Sequence, residues 1–268
     1  MPLACIDGNV GPAEQATIPA TDEGLLRGDG AFEVLRLYGG RPFALDDHLR
    51  RLERSSVNLR LPADVEALGR EVEALLAQAS PVDGLLRLVV TRGGRRLALI
   101  EPLPPLPASV RLGFVTYSPT RVLEGVKSLS YAANMLAMRL AQERGFDDAL
   151  LVTPHGRVLE GPTSSFFWVK DGRLRTPPLS EHILGSITRG RLLDLTEVVE
   201  EPCTREDAVR ADEAFVVSTV REVMPVSGIE EAELPAPGPV SADAVRRMRQ
   251  RIEQELSARD PADAREPV

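Results

Sequence analysis

Apolar positions in the first 116 residues follow the two-residue period of strands in some segments and the helical period in others. Spacings of three and four predict two helices, one that begins with a cap at Asp46 or Asp47 and ends before Pro62, and a second over 64–79. A glycine pair at 39–40 predicts a tight turn. Short apolar segments predict strands over 31–38, 41–44, 85–91 and 110–116. Two helices against such a sheet indicate an α+β layer domain, which we place at 1–115.

A proline-containing stretch at 116–121 is the predicted linker to a second domain at 122–268. Helical spacing predicts helices over 131–144, 188–196 and 242–256, with Gly145 ending the first of them. Short strands are predicted over 149–152, 157–160, 165–169, 173–176, 198–201 and 214–217. This pattern indicates a mixed α/β domain and hence an α/β fold class for the chain. Residues 260–268 contain two prolines and are expected to form a frayed tail.

Composition narrows the class of protein. The chain has 268 residues, 43% of them apolar, which is enough for one large core or two modest ones. Its 40 acidic and 32 basic residues give a net charge of −8, so a nucleic-acid partner is not expected. No apolar run approaches the roughly 20 residues of a membrane span, and the first residues lack the pattern of a signal peptide. We expect a soluble, cytoplasmic protein that has no membrane partner.

Cysteine and histidine are too sparse to form a site from sequence alone. Cys5 and Cys203 are far apart, and His48, His155 and His182 are isolated from them and from one another. None of these residues has the spacing of metal ligands. Neither a disulfide framework nor a metal site is therefore predicted.

Lysine is rare in this chain, which has 32 basic residues but only Lys127 and Lys170 as lysines. Lys170 precedes an Asp-Gly turn, where a solvated charge is the simplest interpretation. Lys127 lies just before a predicted helix. A lysine can lose its proton and form a Schiff base with a carbonyl, which arginine cannot do. Lys127 is thus either a Schiff-base lysine or a surface charge.

An aldehyde cofactor such as pyridoxal phosphate would also need a site for its phosphate. The segment 185–188 offers small residues and free N–H groups ahead of a helix, although Ser186 and Thr188 are also ordinary helix caps. Thr219, after a buried strand, is a second candidate that could equally belong to a plain turn. Arg51 could bind a phosphate in a bidentate manner, or it could be a solvated charge on its helix.

The same cofactor needs a carboxylate for its pyridine nitrogen. Glu160 is followed by Gly-Pro and lies between two apolar strands, where a strand end opens into a cleft. A single glutamate at a strand end is also common on protein surfaces. Neither interpretation of Glu160 is excluded by its position alone.

Seven blocks in sequence order carry a resemblance to a known family. They are 22–33, 48–52, 126–129 with the following Asn134, 160–167, 176–178, 183–189 and 218–226. Together they resemble the class IV pyridoxal-phosphate aminotransferase family, from about residue 6 to about residue 229. The resemblance implies a two-domain fold like that of D-amino-acid aminotransferase, with the cofactor between the domains, and a homodimer.

The resemblance also implies roles for particular residues. Lys127 would carry pyridoxal 5′-phosphate, and Glu160 would pair with the pyridine nitrogen. The residues that would bind the phosphate are Arg51, Ser186, Ile187, Thr188 and Thr219. Two positions depart from the family pattern: Arg27 stands where many members have an aromatic residue, and Ser165 stands where they usually have asparagine.

The chemistry of this family branches. The compact length and the block that ends in Gly-Asp-Gly-Ala-Phe-Glu resemble the lyase members, so we predict conversion of 4-amino-4-deoxychorismate, a small-molecule substrate, to 4-aminobenzoate and pyruvate. Arg27 would then bind a substrate carboxylate. The alternative is a transaminase that acts on branched-chain or D-amino acids, and a third possibility is a protein that binds the cofactor without turnover.

Overall fold

The computed structural model describes residues 2–258, so the predicted frayed tail at 260–268 lies outside the described residues. Seven α-helices lie within this range: α1 Glu23–Arg27, α2 Leu45–Leu59, α3 Val65–Gln78, α4 Ala132–Glu143, α5 Ile187–Leu195, α6 Arg205–Val209 and α7 Pro239–Ser257. The sixteen strands are β1 Leu3–Ile6, β2 Asn9–Pro12, β3 Gly30–Tyr38, β4 Arg41–Pro42, β5 Gly84–Thr91, β6 Arg96–Pro102, β7 Val110–Thr116, β8 Asp148–Val152, β9 Arg157–Val158, β10 Ser165–Lys170, β11 Arg173–Thr176, β12 Val199–Glu200, β13 Cys203–Thr204, β14 Glu213–Ser218, β15 Glu222–Ile229 and β16 Ala232–Glu233. None of the helices within 2–258 combines the length and the apolar composition that crossing a membrane requires.

A six-stranded antiparallel sheet contains the first six strands, in the order β2-β1-β6-β5-β3-β4. Because side chains alternate along a strand, one face of β3 and β5 carries Leu35 and Leu88, which pack against Leu52 of α2 and Val72 of α3. This face forms the core of the first half of the chain. The opposite face carries Phe32, Val34, Leu85, Arg87 and Val89 and borders a cavity.

A ten-stranded mixed sheet contains the remaining strands. β7 pairs in parallel with β8 and β15, and β14 joins β15 to β10 in antiparallel pairing. α7 and α5 cover β14, and Phe215 of β14 stacks with Phe167 of the neighbouring β10 at 5.2 Å between ring centroids. α4 covers β7 and β8. The second sheet is therefore packed against helices, and its interior is aromatic and aliphatic.

The chain passes from the first sheet to the second at 103–109, between β6 and β7. The linker predicted at 116–121 follows β7 instead. A division at that linker would separate β7 from β8 and β15, the strands with which it pairs. The proline cluster at 102–107 therefore marks the crossover between the sheets.

Most predicted elements are present with shifts of one to three residues at their ends, and the α/β fold class is confirmed. Helix α2 differs at its start: Ala44 is the N-cap, with φ 54°, while Asp46 and Asp47 lie in the first turn. The prediction missed β1, β2, β6, β13, β15, β16, α1 and α6. β6 was missed because Gly93 and Gly94 suggested a break in the chain. They form the turn of a hairpin instead, in which Gly94 has φ +77° and β6 returns along β5.

Several contacts join the two sheets directly. Arg36 on β3 forms an ion pair with Glu222 on β15 at 2.7 Å, and the hydroxyl of Tyr38 donates to Glu222 Oε1 at 2.9 Å. Ala31 on β3 forms an isolated β-bridge with Ser128. The contacts with Glu222 hold the first sheet against β15, and the bridge to Ser128 holds β3 against the segment that contains Lys127.

Candidate active site

A cavity of about 890 Å³ lies between the two sheets. Its walls come from the face of β3 and β5 that points away from their core, the segment around Lys127, the turn after β9, the approach to α5 and the turn between β14 and β15. Both halves of the chain therefore contribute to one site.

Lys127 enters the cavity from a segment that is fixed on both sides. Its carbonyl accepts a hydrogen bond from Phe32 N at 3.0 Å, and its N–H donates to Ser55 Oγ at 3.2 Å. The amine lies 4.4 Å from the ring centroid of Phe32 and 5.3 Å from that of Tyr131, and no ion pair or hydrogen bond within residues 2–258 engages it. Burial, followed by the charge of Arg51, lowers the pKa of Lys127 to about 8. The side chain is thus close to releasing its proton near neutral pH.

Glu160 also lines the cavity, at the turn after β9. Its backbone carbonyl accepts from Leu151 N at 2.9 Å, and its Oε1 accepts from Leu184 N at 3.1 Å. Burial raises the pKa of Glu160 to about 7, against the opposing effects of the Leu184 N–H and the Lys127 charge. A cation in the cavity would therefore stabilise the ionised form of Glu160.

Arg51 reaches the cavity from α2, and two buried residues hold it. Glu33 accepts from Arg51 Nε at 2.7 Å and from Nη2 at 2.6 Å, and His48 Nδ1 lies 2.7 Å from Glu33 Oε2. Burial alone would raise the pKa of Glu33, but the hydrogen bonds from Arg51 and His48 lower it to about 2. Burial lowers the pKa of His48. Glu33 and Arg51 thus form a charged pair beside a neutral imidazole.

The N-terminus of α5 faces the same region. Ser186 lines the cavity, and its Oγ caps the helix by accepting from Arg189 N at 3.3 Å, so the capping interpretation holds for this residue. The first turn leaves the N–H groups of Ile187 and Thr188 without acceptors inside the helix. Thr219 lines the cavity in the turn between β14 and β15. Of the phosphate-binding candidates, Arg51, Ser186 and Thr219 line the cavity, and Ile187 and Thr188 follow Ser186 in the first turn of α5.

Two other basic residues singled out in the sequence lie away from the cavity. The Arg27 side chain is 75% exposed, pairs with Glu23 at 3.1 Å and does not line the cavity. Lys170 donates to the carbonyl of Arg210 at 3.0 Å on the surface, in agreement with its interpretation as a turn charge. The structure gives the Arg27 hypothesis no support, because its helix α1 holds it outside the cleft.

Sequence reasoning missed the cavity residues Ser164, Tyr131 and Arg87, and it singled out Ser165 only as a departure from the family pattern. Ser164 and Ser165 line the cavity, are buried, and have hydroxyls that no hydrogen-bond partner satisfies within the described residues. Tyr131 donates to the carbonyl of Pro162 at 2.6 Å and fixes the turn beside Glu160. Arg87 lies on the cavity face of β5, and its two-residue spacing from Leu85 and Val89 is the signal that could have identified it.

Glu33 could also have been found. It occupies the face of β3 whose other members, Ala31, Leu35 and Leu37, are core residues. A carboxylate at a core position of a strand is rare unless it is paired.

These residues fit pyridoxal 5′-phosphate. Lys127 offers an unpartnered amine, Glu160 a carboxylate that lacks a cation, and the α5 terminus with Arg51 a site for an anion. The unsatisfied hydroxyls of Ser164 and Ser165 leave room for polar groups of a ligand. Within 2–258 no group of histidine, cysteine or acidic side chains could hold a metal ion.

Comparisons with known proteins agree with this fit. A branched-chain amino acid aminotransferase from Thermobaculum terrenum, solved in its PLP form, superposes with a TM-score of 0.83 at 27% identity and covers 94% of each chain. A Methanocaldococcus jannaschii protein provisionally named a branched-chain-amino-acid aminotransferase is 36% identical over 250 residues, 84% of this chain and 87% of that protein. The D-alanine aminotransferase of Bacillus licheniformis is 30% identical over 262 residues, 88% of this chain and 92% of that enzyme.

The cofactor is thereby confirmed as pyridoxal 5′-phosphate. The lyase prediction gains no support, because these relatives are named as aminotransferases. The family model for "Amino-transferase class IV" matches residues 30–229. The chain belongs to the class IV amino-transferase family.

Proposed function

We propose that this enzyme is an aminotransferase that moves the amino group of an apolar amino acid to a 2-oxo acid. The observation that carries the proposal is the wall beside Lys127, where Phe32, Val34, Leu85 and Val89 present an apolar surface and Arg87 adds a cation to the same wall of the cavity. An apolar side chain fits the surface, and a guanidinium is suited to a carboxylate. The names of the relatives favour the same reaction.

Each residue predicted to bind the cofactor has a role in this proposal. Lys127 holds the cofactor, and Glu160 pairs with its ring nitrogen. Arg51, the N–H groups of Ile187 and Thr188, Thr219, and Ser186 as the cap of α5 bind or shape the phosphate site. When bound, pyridoxal 5′-phosphate supplies an aldehyde and an electron-withdrawing ring, which acidify the carbon that bears the substrate nitrogen.

Lys127 also acts as the base in this proposal. Once the substrate amine had taken its place, Nζ would be a free amine, and a pKa of about 8 would allow it to accept the proton of the substrate carbon and pass it on, rather than return it to that carbon, as amino-group transfer requires. The rings of Phe32 and Tyr131 contact each other edge to face, with 5.1 Å between their centroids, and both lie against the amine. Tyr131 keeps its phenolic proton, since burial raises its pKa.

Arg87 is the proposed partner of a substrate carboxylate. Its Nε donates to Glu101 Oε2 at 2.8 Å, and this bond leaves the two terminal nitrogens of the guanidinium available. Its charge is also one of those that lower the pKa of Lys127, which places it within electrostatic range of the amine. A carboxylate on Arg87 would bring the adjoining carbon close to Lys127.

The test is to mix the purified holoenzyme with L-leucine, L-valine or D-alanine without an acceptor and to record the cofactor absorbance. We expect L-leucine and L-valine to convert the cofactor in one turnover and 2-oxoglutarate to restore it. Conversion by D-alanine alone would reject an apolar L-amino acid as substrate but keep the transaminase reaction. Continuous release of 4-aminobenzoate and pyruvate from 4-amino-4-deoxychorismate without an acceptor would reject the proposal in favour of the lyase.

A further inference from the structure

We propose that Glu33 is a positioning residue for the cofactor phosphate, because it fixes the orientation in which Arg51 faces the cavity. This inference rests on the proposed role of Arg51 as a phosphate ligand. It adds a residue that itself lies behind Arg51 and does not line the cavity.

Glu33 is a buried carboxylate and therefore needs hydrogen-bond donors and an opposite charge. Its side chain is 0% exposed on the core face of β3, and that of His48 is also 0% exposed. A buried carboxylate is costly unless hydrogen bonds and an opposite charge compensate it. Arg51, with a side chain 8% exposed, supplies both.

The bonds fix the guanidinium at two points. Oε1 of Glu33 accepts from Arg51 Nε at 2.7 Å, and Oε2 accepts from Nη2 at 2.6 Å. The neutral His48 donates its Nδ1–H to the same Oε2 at 2.7 Å, and its Nε2 has no partner within the described residues. A planar guanidinium that is held by two parallel bonds cannot rotate without breaking them.

The remaining donors of Arg51 point away from Glu33. Nη1 donates to the carbonyl of Gly185 at 3.1 Å, just before the Ser186 cap of α5. Of the five N–H groups of a guanidinium, one on each terminal nitrogen is then left, and the side chain lines the cavity. Glu33 thus aligns these donors with the N-terminus of α5, where a phosphate would also meet backbone N–H groups.

Without Glu33, Arg51 would have another carboxylate to approach. Glu160 lines the same cavity, and the charge of Arg51 already acts on it. An unpaired, buried Arg51 would turn toward Glu160 and away from α5. Loss of Glu33 would also remove its repulsion of a phosphate. We expect the lost orientation of Arg51 to weaken phosphate binding more than the lost repulsion from Glu33 strengthens it, because the guanidinium lies between Glu33 and the cavity.

A purely structural role would be to hold α2 against β3, and the test must separate the two roles. Pyridoxal lacks the phosphate but has the same ring and aldehyde. Positioning through Arg51 therefore predicts a selective effect on pyridoxal phosphate. General damage to the site would weaken both ligands.

The experiment uses Glu33→Gln, Arg51→Ala and the double variant, with Glu71→Gln as the matched control. Glu71 is a buried carboxylate that pairs with Arg96 at 2.7 Å away from the cavity. Bound cofactor is removed from each holoenzyme with hydroxylamine, and the dissociation constants of pyridoxal phosphate and pyridoxal are measured by absorbance. In Glu33→Gln one carboxylate oxygen becomes an NH2 group, so one Arg51 N–H must face a donor whichever way the amide turns.

We expect Glu33→Gln to raise the dissociation constant of pyridoxal phosphate about tenfold, the usual effect of losing one charged hydrogen bond, and to leave that of pyridoxal unchanged. In the Arg51→Ala background it should have no further effect, and Glu71→Gln should change neither constant. Equal weakening of both ligands, unchanged affinity for pyridoxal phosphate, or a full effect without Arg51 would each overturn the inference. If Arg51→Ala itself leaves the ratio of the two constants unchanged, the phosphate role of Arg51 in the proposed function fails as well.

Glu33→Asp covers the case in which Glu33→Gln does not fold. It keeps the charge but is too short to make both bonds to Arg51. The same selective loss of affinity for pyridoxal phosphate is expected, and its absence would contradict positioning.

Discussion

Glu160→Gln removes only the negative charge of the carboxylate that is proposed to pair with the ring nitrogen of the cofactor. Glutamine has the same shape and still accepts from Leu184 N, which lies 3.1 Å from Glu160 Oε1. The fold and the covalent attachment of the cofactor to Lys127 should therefore survive. What is lost is the negative charge that would stabilise a protonated ring nitrogen.

The expected loss of rate follows from the free energy that it costs to ionise this buried carboxyl group. Raising the pKa of a carboxyl group from 4.5 to about 7 means that burial disfavours the ionised form by about 3 kcal/mol. A cation that pairs with Glu160 recovers free energy of this order. Since about 1.4 kcal/mol corresponds to a factor of ten in rate, Glu160→Gln should lower kcat about 100-fold.

Stopped-flow absorbance of the cofactor, recorded after the enzyme is mixed with excess L-leucine and no acceptor, measures the rate of the first half-reaction directly. Glu124→Gln is the matched control, because Glu124 lines the same cavity but is 53% exposed and pairs with His182 at 3.1 Å. We expect less than a twofold change in that variant, as an exposed ion pair contributes little. A half-reaction rate in Glu160→Gln within about threefold of the wild type would refute the reasoning, since the ring would then need no carboxylate here.

The remaining predictions concern the basic residues. Lys127→Ala should abolish turnover and the borohydride-stable label, whereas Lys170→Arg should retain both; peptide mapping that finds the label on Lys170 would contradict the cofactor role of Lys127. Because the pKa of Lys127 is about 8, the free amine fraction, and with it the rate at which cofactor-free enzyme takes up pyridoxal phosphate, should rise about tenfold per pH unit up to about pH 8 and then level off; a rate that keeps rising to pH 10 would show an ordinary lysine. Arg87→Ala should raise KM for the amino acid about tenfold or more, while Arg27→Ala, on the surface, should change it less than twofold; the reverse order in steady-state kinetics would restore the Arg27 hypothesis.

The sequence predicted the elements whose periodicity is local. Apolar spacing on α2 and alternation on β3 are each a property of one continuous segment, so a window of a few residues is enough to detect them. The sheet to which β7 belongs is not evident from its own sequence, because β7 pairs with β8 and β15, and β15 lies more than 100 residues further along the chain. No local pattern in 110–116 indicates to which sheet that strand belongs.

The site was predictable where residue chemistry is unusual in itself. The rarity of lysine made Lys127 a candidate, and suitability for a charged ring and a phosphate made candidates of Arg51, Glu160 and the segment before α5. Each had an ordinary alternative, and their roles came from the resemblance to the family. Arg87 was missed, since its importance depends on which face of β5 borders the cavity. Its position becomes informative only after the packing of α2 and α3 has assigned the opposite face to the core.

The two halves of the chain contribute differently to the site. The second sheet and α5 provide Glu160, Thr219 and the helix N-terminus, which are proposed to hold the cofactor. The first sheet provides the apolar wall and Arg87, which are proposed to select the substrate. Arg51 connects them, because it is held by Glu33 from the first sheet and donates to Gly185 before α5. Substitutions on the cavity face of β3 and β5 can therefore change the substrate while the cofactor stays in place, whereas a change at Glu33 reaches the cofactor through Arg51.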